Sequence, residues 1–313
     1  MIWSVSTAKM FERCQRQWFF KTYLAKARAK DEIRRRAYLL SKLQSVSAWR
    51  GSLVDQVLSH EVIPALQRSW PISADKVIAS AMARFDRQLV NAREHRLHDP
   101  AFRLSERDND FVAFHSLEYD GTIADEEIET ARDEVRTALK AFFGMEELIV
   151  KLRSADRLIT QRNLTFAHTD VNVRAVPDVI AFSGLNPPAI IDWKVHVFGW
   201  RDAWLQLAVY AAALTRCTPH KDFPVATNQF KETDIELLEV QLLTGTIRAH
   251  HLNEDHMARA DGYIARSVES MLLSSGGMNG KTVNLLPTDF PTARYASVCE
   301  RCPYRGPCWE RIQ

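Results

Sequence analysis

A chain of 313 residues that is 46% hydrophobic and 26% charged has the balance of a globular protein with a sizeable core, between one large domain and two small ones. With 41 Lys and Arg against 39 Asp and Glu the formal net charge is +2, too small for a polybasic mode of binding, so any contact with nucleic acid has to rest on a local patch. No apolar run reaches the ~18 residues a membrane helix needs, Met1-Ile2-Trp3-Ser4 does not open a signal peptide, and five cysteines, an odd number, argue against a disulfide framework. The expectation is a cytoplasmic chain with no membrane partner.

The stretch from Ser6 to Leu24 has apolar residues at Met10, Phe11, Cys14, Trp18 and Phe19, a helical spacing that puts Cys14 on the buried side. Lys26 to Arg36 holds six basic residues against two acids and is the most basic segment of the chain. It reads as a solvated helix face or, at Arg34, Arg35 and Arg36, as a phosphate-binding patch. A helix is expected from Ser52 to about Ile63, apolar at Leu53, Val54, Val57 and Leu58, with Pro64 as its stop. From about 66 to 150, amphipathic pieces such as Ser73 to Leu89 and Asp125 to Phe143 flank a polar loop near Arg93 to Asp110, which indicates a helical lobe.

The period then changes. Arg157 to Phe182 is β-branched and alternating, and Ala189-Ile190-Ile191 follows Asn186-Pro187-Pro188, the pattern of a strand pair around a turn. Beyond lie a helix from Asp202 to Thr215, strands near Ile235 to Leu243 and Thr246 to His251, a helix from Asn253 to Leu273, a Gly-rich loop and a Cys-rich tail. The fold class is α/β or α+β with a mixed sheet.

Chemistry concentrates at Pro177-Asp178, followed after thirteen residues by Asp192-Trp193-Lys194. Residues i and i+2 of a strand share a face, so Asp192 and Lys194 project together, and the turn brings Asp178 back beside them. Two carboxylates beside one lysine suit a hard divalent cation such as Mg²⁺, which polarises a phosphodiester and acidifies a bound water. The spacing alone is weak and also fits surface charges at strand ends. Its weight comes from Ala189-Ile190-Ile191 immediately before Asp192, where burying a charge is costly unless it binds something. Gln206 and Tyr210 lie one turn apart on an otherwise apolar helix, where a glutamine has to find a partner.

Cys299, Cys302 and Cys308 form a compact tail cluster, with Cys14 as the natural fourth ligand. Four thiolates at one point imply zinc or an iron–sulfur cluster, and spacing does not choose between them. Cys217 reads as an ordinary free thiol. Gly276 to Thr282 imitates a phosphate-binding loop but lacks a glycine at Ser275, so no nucleotide motor is expected and unwinding has to come from a partner. His250-His251, with no spaced third ligand, reads as a surface pair.

Together these motifs resemble the PD-(D/E)XK nuclease superfamily, and within it the RecB-like iron–sulfur branch of CRISPR-associated adaptation exonucleases, AddB-type nucleases and exonuclease V. Phe11 to Phe20 resembles the branch's opening helix, and the tail has its C-x2-C-x5-C spacing. Pro177-Asp178 with Asp192-Trp193-Lys194 matches the motif of the name, and Gln206 with Tyr210 matches its Q-x3-Y. The resemblance implies a restriction-endonuclease-like core, a mixed sheet flanked by helices, in a single nuclease domain over 1–313 with a helical insertion over about 61–155. It also implies a 4Fe–4S cluster on Cys14, Cys299, Cys302 and Cys308, joining the tail 299–308 to the N-terminal segment. The implied activity is a Mg²⁺- or Mn²⁺-dependent deoxyribonuclease, an exonuclease on single-stranded or free DNA ends. It would serve repair, recombination, CRISPR adaptation or defence, with a helicase or other repair or defence protein as a possible partner. One departure stands out: where the family commonly has R-G-x-x-x-H, the chain has Arg50-Gly51-Ser52-Leu53-Val54-Asp55, so Asp55 reads either as a carboxylate ligand in place of the family's histidine or as a solvated helix aspartate. The competing class is a catalytically silent DNA-binding or scaffolding subunit, against which the complete set Asp178, Asp192, Lys194, Gln206 and Tyr210 speaks.

Overall fold

A computed structural model describes residues 1–97, 110–195, 203–276 and 285–309. The chain divides into two compact units, one of Met1–Val5, Arg50–Met82 and Ala131–Val268, the other of Ser6–Trp49, Ala83–Thr130 and Glu269–Gln313. Strands among the described residues are β1 (Ile2–Trp3), β2 (Leu43–Gln44), β3 (Ala113–Phe114), β4 (Arg157–Thr160) and β5 (Leu164–His168). They continue with β6 (Val171–Ala175), β7 (Val179–Phe182), β8 (Ala189–Lys194), β9 (Glu236–Gln241) and β10 (Thr246–His250). Among the described residues no helix is long and apolar enough to cross a membrane.

The first unit holds a five-stranded sheet in the order β10-β9-β8-β7-β4 and a three-stranded sheet in the order β1-β6-β5. The larger sheet is mixed: β8 and β9 run parallel, whereas the β4–β7, β7–β8 and β9–β10 pairs are antiparallel. A parallel pair needs a crossover, and the helix Ala203–Arg216 lies between β8 and β9 in the chain to supply it. That helix packs against β5 and β6 of one sheet and β8 and β9 of the other, which is why it is apolar nearly all round.

The alternating run Arg157 to Phe182, expected as one arm of a strand pair, is four strands. Gln161 and Thr169 take left-handed backbone with φ of 49° and 50° and break it, so β5 and β6 leave for the smaller sheet and only β7 pairs with β8. The helix expected from Ser52 begins at Val46 and is not stopped by Pro64. A π-helical turn, Leu58–Val62, intervenes, and Pro64 falls in the first turn of the following helix Ile63–Gln67, where a missing N–H is tolerated. The amphipathic pieces are the helices Ala74–Glu94 and Asp125–Gly144. Residues 98–109 of the polar loop, Asp202 and the glycine-rich stretch from Gly277 to Thr282 lie outside the described residues.

In the second unit the N-terminal helix is interrupted where continuity was expected. Cys14 is extended, with φ −162° and ψ 107°, and caps the short helix Gln15–Phe19 by accepting the Gln17 N–H on Sγ at 3.4 Å. Arg16 ties this helix to the C-terminal segment: its backbone N–H donates to the Pro291 carbonyl at 3.1 Å and its Nε to the Phe290 carbonyl at 3.0 Å. Phe290, 0% exposed, stacks on Phe19 with ring centroids 4.4 Å apart, and Tyr304 stacks on Phe20 at 5.1 Å. Leu40, Leu43, Leu97 and Ala113 close the core around Phe20 and Tyr304. Because Phe290 fills this seam, Phe290→Ala should cost about 3–5 kcal/mol, read as a lower urea midpoint; an unchanged midpoint would show that the seam contributes little.

Candidate active site and thiol pocket

Strand pairing in the first unit assembles the acidic group. Asp178 stands at the entry to β7, and its Oδ2 accepts the backbone N–H of Trp193 in β8 at 2.8 Å. Asp192 and Lys194 share a face of β8, and the Lys194 ammonium forms an ion pair with the Asp192 carboxylate. The same ammonium donates to Gln206 Oε1 at 3.1 Å, and Gln206 Nε2 donates to Tyr210 Oη at 2.6 Å. The glutamine on an apolar helix thus has its partners, and Lys194 is held from both sides.

Asp55 joins from the helix Val46–Val57. Its Oδ1 accepts from Ser59 Oγ at 3.1 Å and from Gln161 Nε2 at 2.8 Å, and that same amide nitrogen donates to Asp178 Oδ1 at 3.0 Å. Arg50, one turn earlier on the helix, is buried, pairs with Glu134 and donates to the Val195 carbonyl at the end of β8. The structure therefore brings Asp55, Asp178, Asp192, Lys194, Gln206 and Tyr210 into one group.

Burial works against ionisation of every acid in the group. Burial pushes the Asp178 carboxyl well above the usual range, and repulsion from Asp192 and Asp55 adds to it. Asp192, 2% exposed, is raised by burial and by Glu239, against the opposing pull of Lys194. Burial likewise raises Asp55, against the hydrogen bonds from Ser59 and Gln161. Burial, then Asp192 and Asp178, lifts the Tyr210 phenol well above its ordinary value. Carboxylate oxygens crowded in this way match the donor set of a hard divalent cation, which would supply the positive charge the group lacks. Among the described residues no three His, Cys, Asp or Glu side chains are drawn together closely enough to hold a metal ion.

Three participants escaped the sequence reading. Gln161 bridges two acids from a strand end. Glu239, 1% exposed, sits opposite Asp192 in the parallel β8–β9 register and is held by Gln241, by His250 Nε2 at 2.7 Å and by Arg248 at 3.5 Å. His250, expected at the surface, is thus the partner of a buried carboxylate. A charged residue inside the apolar run Leu237-Leu238-Glu239-Val240 was the available signal for Glu239; Gln161 had none beyond its place where the alternation fails.

The second unit gathers the other chemistry. Cys14, Cys299, Cys302 and Cys308 line one pocket together with Phe20, Val298, Tyr304 and Trp309, and none of the four is in a disulfide. N–H groups point at three of the sulfurs: Gln17 N at Cys14, Tyr304 N at Cys302 at 3.4 Å, and Arg16 Nη1 at Cys308 at 3.9 Å. Burial pushes the Cys302 thiol up to about 12, and burial followed by the neighbouring thiols raises Cys299. The four thiols thus share one largely apolar pocket, although among the described residues no three of them are drawn together as a metal site. Cys217 is buried in the first unit, donating to the Leu214 carbonyl at 3.6 Å, and has no part in the pocket. Arg34, Arg35 and Arg36 are exposed in the first turns of the helix Glu32–Leu40, whose start is capped by Asp31.

A family model of the PD-(D/E)XK nuclease superfamily matches residues 2–309. No curated protein matches the chain. Among solved structures, the one titled "Crystal structure of SSO0001" is similar at 13% identity over 64% of this chain and 82% of that one, with a TM-score of 0.27, too low to carry an argument.

Lys194 is the ammonium that faces the buried Asp192 carboxylate. Lys194→Met should therefore destabilise the metal-free protein by about 3–5 kcal/mol in urea unfolding, since it strands a buried charge. An unchanged midpoint would mean that Asp192 does not depend on the ammonium.

Proposed function

The chain belongs to the PD-(D/E)XK nuclease superfamily, and on that footing we propose that it is a metal-dependent deoxyribonuclease, acting as an exonuclease on single-stranded or free DNA ends. The observation that carries this reading is the placing of Asp178 and Asp192 beside Lys194, with Asp55 tied to Asp178 through the Gln161 amide, buried acids for which a cation would be the counter-charge. Asp178 and Asp192 would hold Mg²⁺ or Mn²⁺, with Asp55 in the place where relatives of the RecB-like branch commonly have histidine. A bound cation supplies Lewis acidity, polarising the phosphodiester and lowering the pKa of water.

The chain's own residues supply the rest. Lys194, held by Gln206 and Asp192, keeps its ammonium where it can orient the attacking water and offset charge on the phosphate oxygens. Tyr210 fixes the amide of Gln206 and so the direction in which Lys194 points. Substitution of a carboxylate for an imidazole at position 55 favours hard, oxygen-loving Mg²⁺ over Mn²⁺.

In the same reading Cys14, Cys299, Cys302 and Cys308 carry a 4Fe–4S cluster, as members of the RecB-like branch do. Support comes from the four thiols lining one pocket and the N–H groups aimed at them. The cluster would tie the C-terminal tail to the N-terminal segment, so its loss should cost stability as well as activity. Arg34, Arg35 and Arg36 would contact DNA phosphates, and a helicase or other repair or defence protein would supply any unwinding.

A time course on end-labelled single- and double-stranded DNA with Mg²⁺ or Mn²⁺ tests the activity. Asp178→Ala should lower the rate by at least about a hundredfold; equal cutting by parent and variant would defeat the site. Asp55→Ala should also cut poorly while keeping the colour of the cluster. Cys302→Ser should bleach the protein and lose iron, and Cys217→Ser should do neither. A colourless parent containing zinc would overturn the cluster assignment.

A further inference from the structure

Gln161 lies between β4 and β5, outside every motif that carries the proposed chemistry. It is not glycine, yet its φ is 49°, in the left-handed region that L side chains rarely adopt. Two bonds explain what that backbone achieves. The Gln161 N–H donates to the Asp178 carbonyl at 3.1 Å, fixing the end of β4 to the residue that enters β7. The side chain is thereby turned toward the acids, where its one amide nitrogen lies 2.8 Å from Asp55 Oδ1 and 3.0 Å from Asp178 Oδ1.

A turn that needed only left-handed backbone would be served better by Gly or Asn. What glutamine adds is reach: a neutral donor that spans two carboxylates from different elements, one on a helix and one at a strand entry. The two acids repel each other, and burial strengthens the repulsion. Both amide hydrogens go to one oxygen of each acid. Asp178 Oδ2 is turned to the Trp193 N–H, and Asp55 Oδ1 also takes the Ser59 hydroxyl, so each carboxylate is oriented by two donors.

We propose that Gln161 is a positioning residue of the acidic site, a neutral tether that holds Asp55 and Asp178 together and oriented before a cation arrives. The role rests on the metal-dependent nuclease reading above. A tether of this kind spares the cation the work of gathering repelling carboxylates. Its removal should weaken metal binding and slow turnover without changing how DNA is held.

Gln161→Gly tests this, because it suits the left-handed backbone while deleting the tether; Gln161→Asn keeps an amide but shortens its reach by one methylene. The first measurement is thermal melting in EDTA of the parent, Gln161→Gly, Asp55→Ala and the double variant. The shifts should be clearly non-additive, and additive shifts would overturn the tether. The second is calorimetric titration with Mn²⁺ alone: both Gln161 variants should bind about tenfold more weakly, the scale of losing charge-assisted hydrogen bonds. In cleavage assays kcat should fall while KM for DNA stays put. Unchanged Mn²⁺ affinity in a variant that melts like the parent would reduce Gln161 to a turn residue. A parent that neither binds Mn²⁺ nor cuts DNA would instead overturn the nuclease reading, and the melts in EDTA would separate that failure from failure of the tether.

Discussion

Taking a carboxylate out of water costs more than a single hydrogen bond restores, and the first unit withdraws Asp178 and Asp192 from water side by side, with Lys194 the neighbouring cation among the described residues. The local structure around them follows from managing that charge. β8 is the central strand of the larger sheet, buried from Ala189 to Trp193, so Asp192 sits where solvent cannot relax it. The helix Ala203–Arg216 contributes two polar side chains to this region, Gln206 and Tyr210, and both are spent on fixing the lysine. On the neighbouring strand Glu239 adds a further negative charge opposite Asp192, and His250 and Arg248 on β10 are drawn in to hold it. Such an arrangement costs stability wherever a buried carboxylate lacks a full set of partners.

The second unit answers a different constraint. Its short helices and its parallel pair β2–β3 bury a modest aromatic core, and segments from the two ends of the chain meet there. Cys14 interrupts the N-terminal helix and turns its sulfur toward the tail, where Cys299, Cys302 and Cys308 follow one another through tight backbone turns. A group bound by all four thiols would close a very long loop of chain, and closure of long loops restricts the unfolded state most.

Sequence periodicity exposed the parts of the site whose geometry is local. Asp192 with Lys194 follows from the two-residue repeat of a strand, and Gln206 with Tyr210 from one helical turn. Asp178 was legible because a Pro-Asp step and a proline-bearing turn frame β7 and β8 as neighbours. Glu239 was not, since its pairing with Asp192 depends on a parallel strand reached through a crossover, and alternation within a strand does not name the strand beside it. Gln161 was hidden for another reason: left-handed backbone announces itself through glycine or asparagine, and here a glutamine adopts it. The break at Cys14 was missed because neither glycine nor proline marks it; a thiol acting as the helix cap does the work instead. Pro64 misled in the opposite sense, since it falls in the first turn of the helix Ile63–Gln67, which follows a π-helical turn, and stops nothing.

If the buried acids exist to hold a cation, anomalous diffraction from crystals grown with Mn²⁺ is the most direct check. The expected result is a peak within coordination distance of both Asp178 and Asp192, with an oxygen of Asp55 turned to it and Gln161 still bonded to the two outer carboxylates. A Mn²⁺-saturated crystal with no peak between these side chains, and with Lys194 alone neutralising Asp192, would contradict the metal centre.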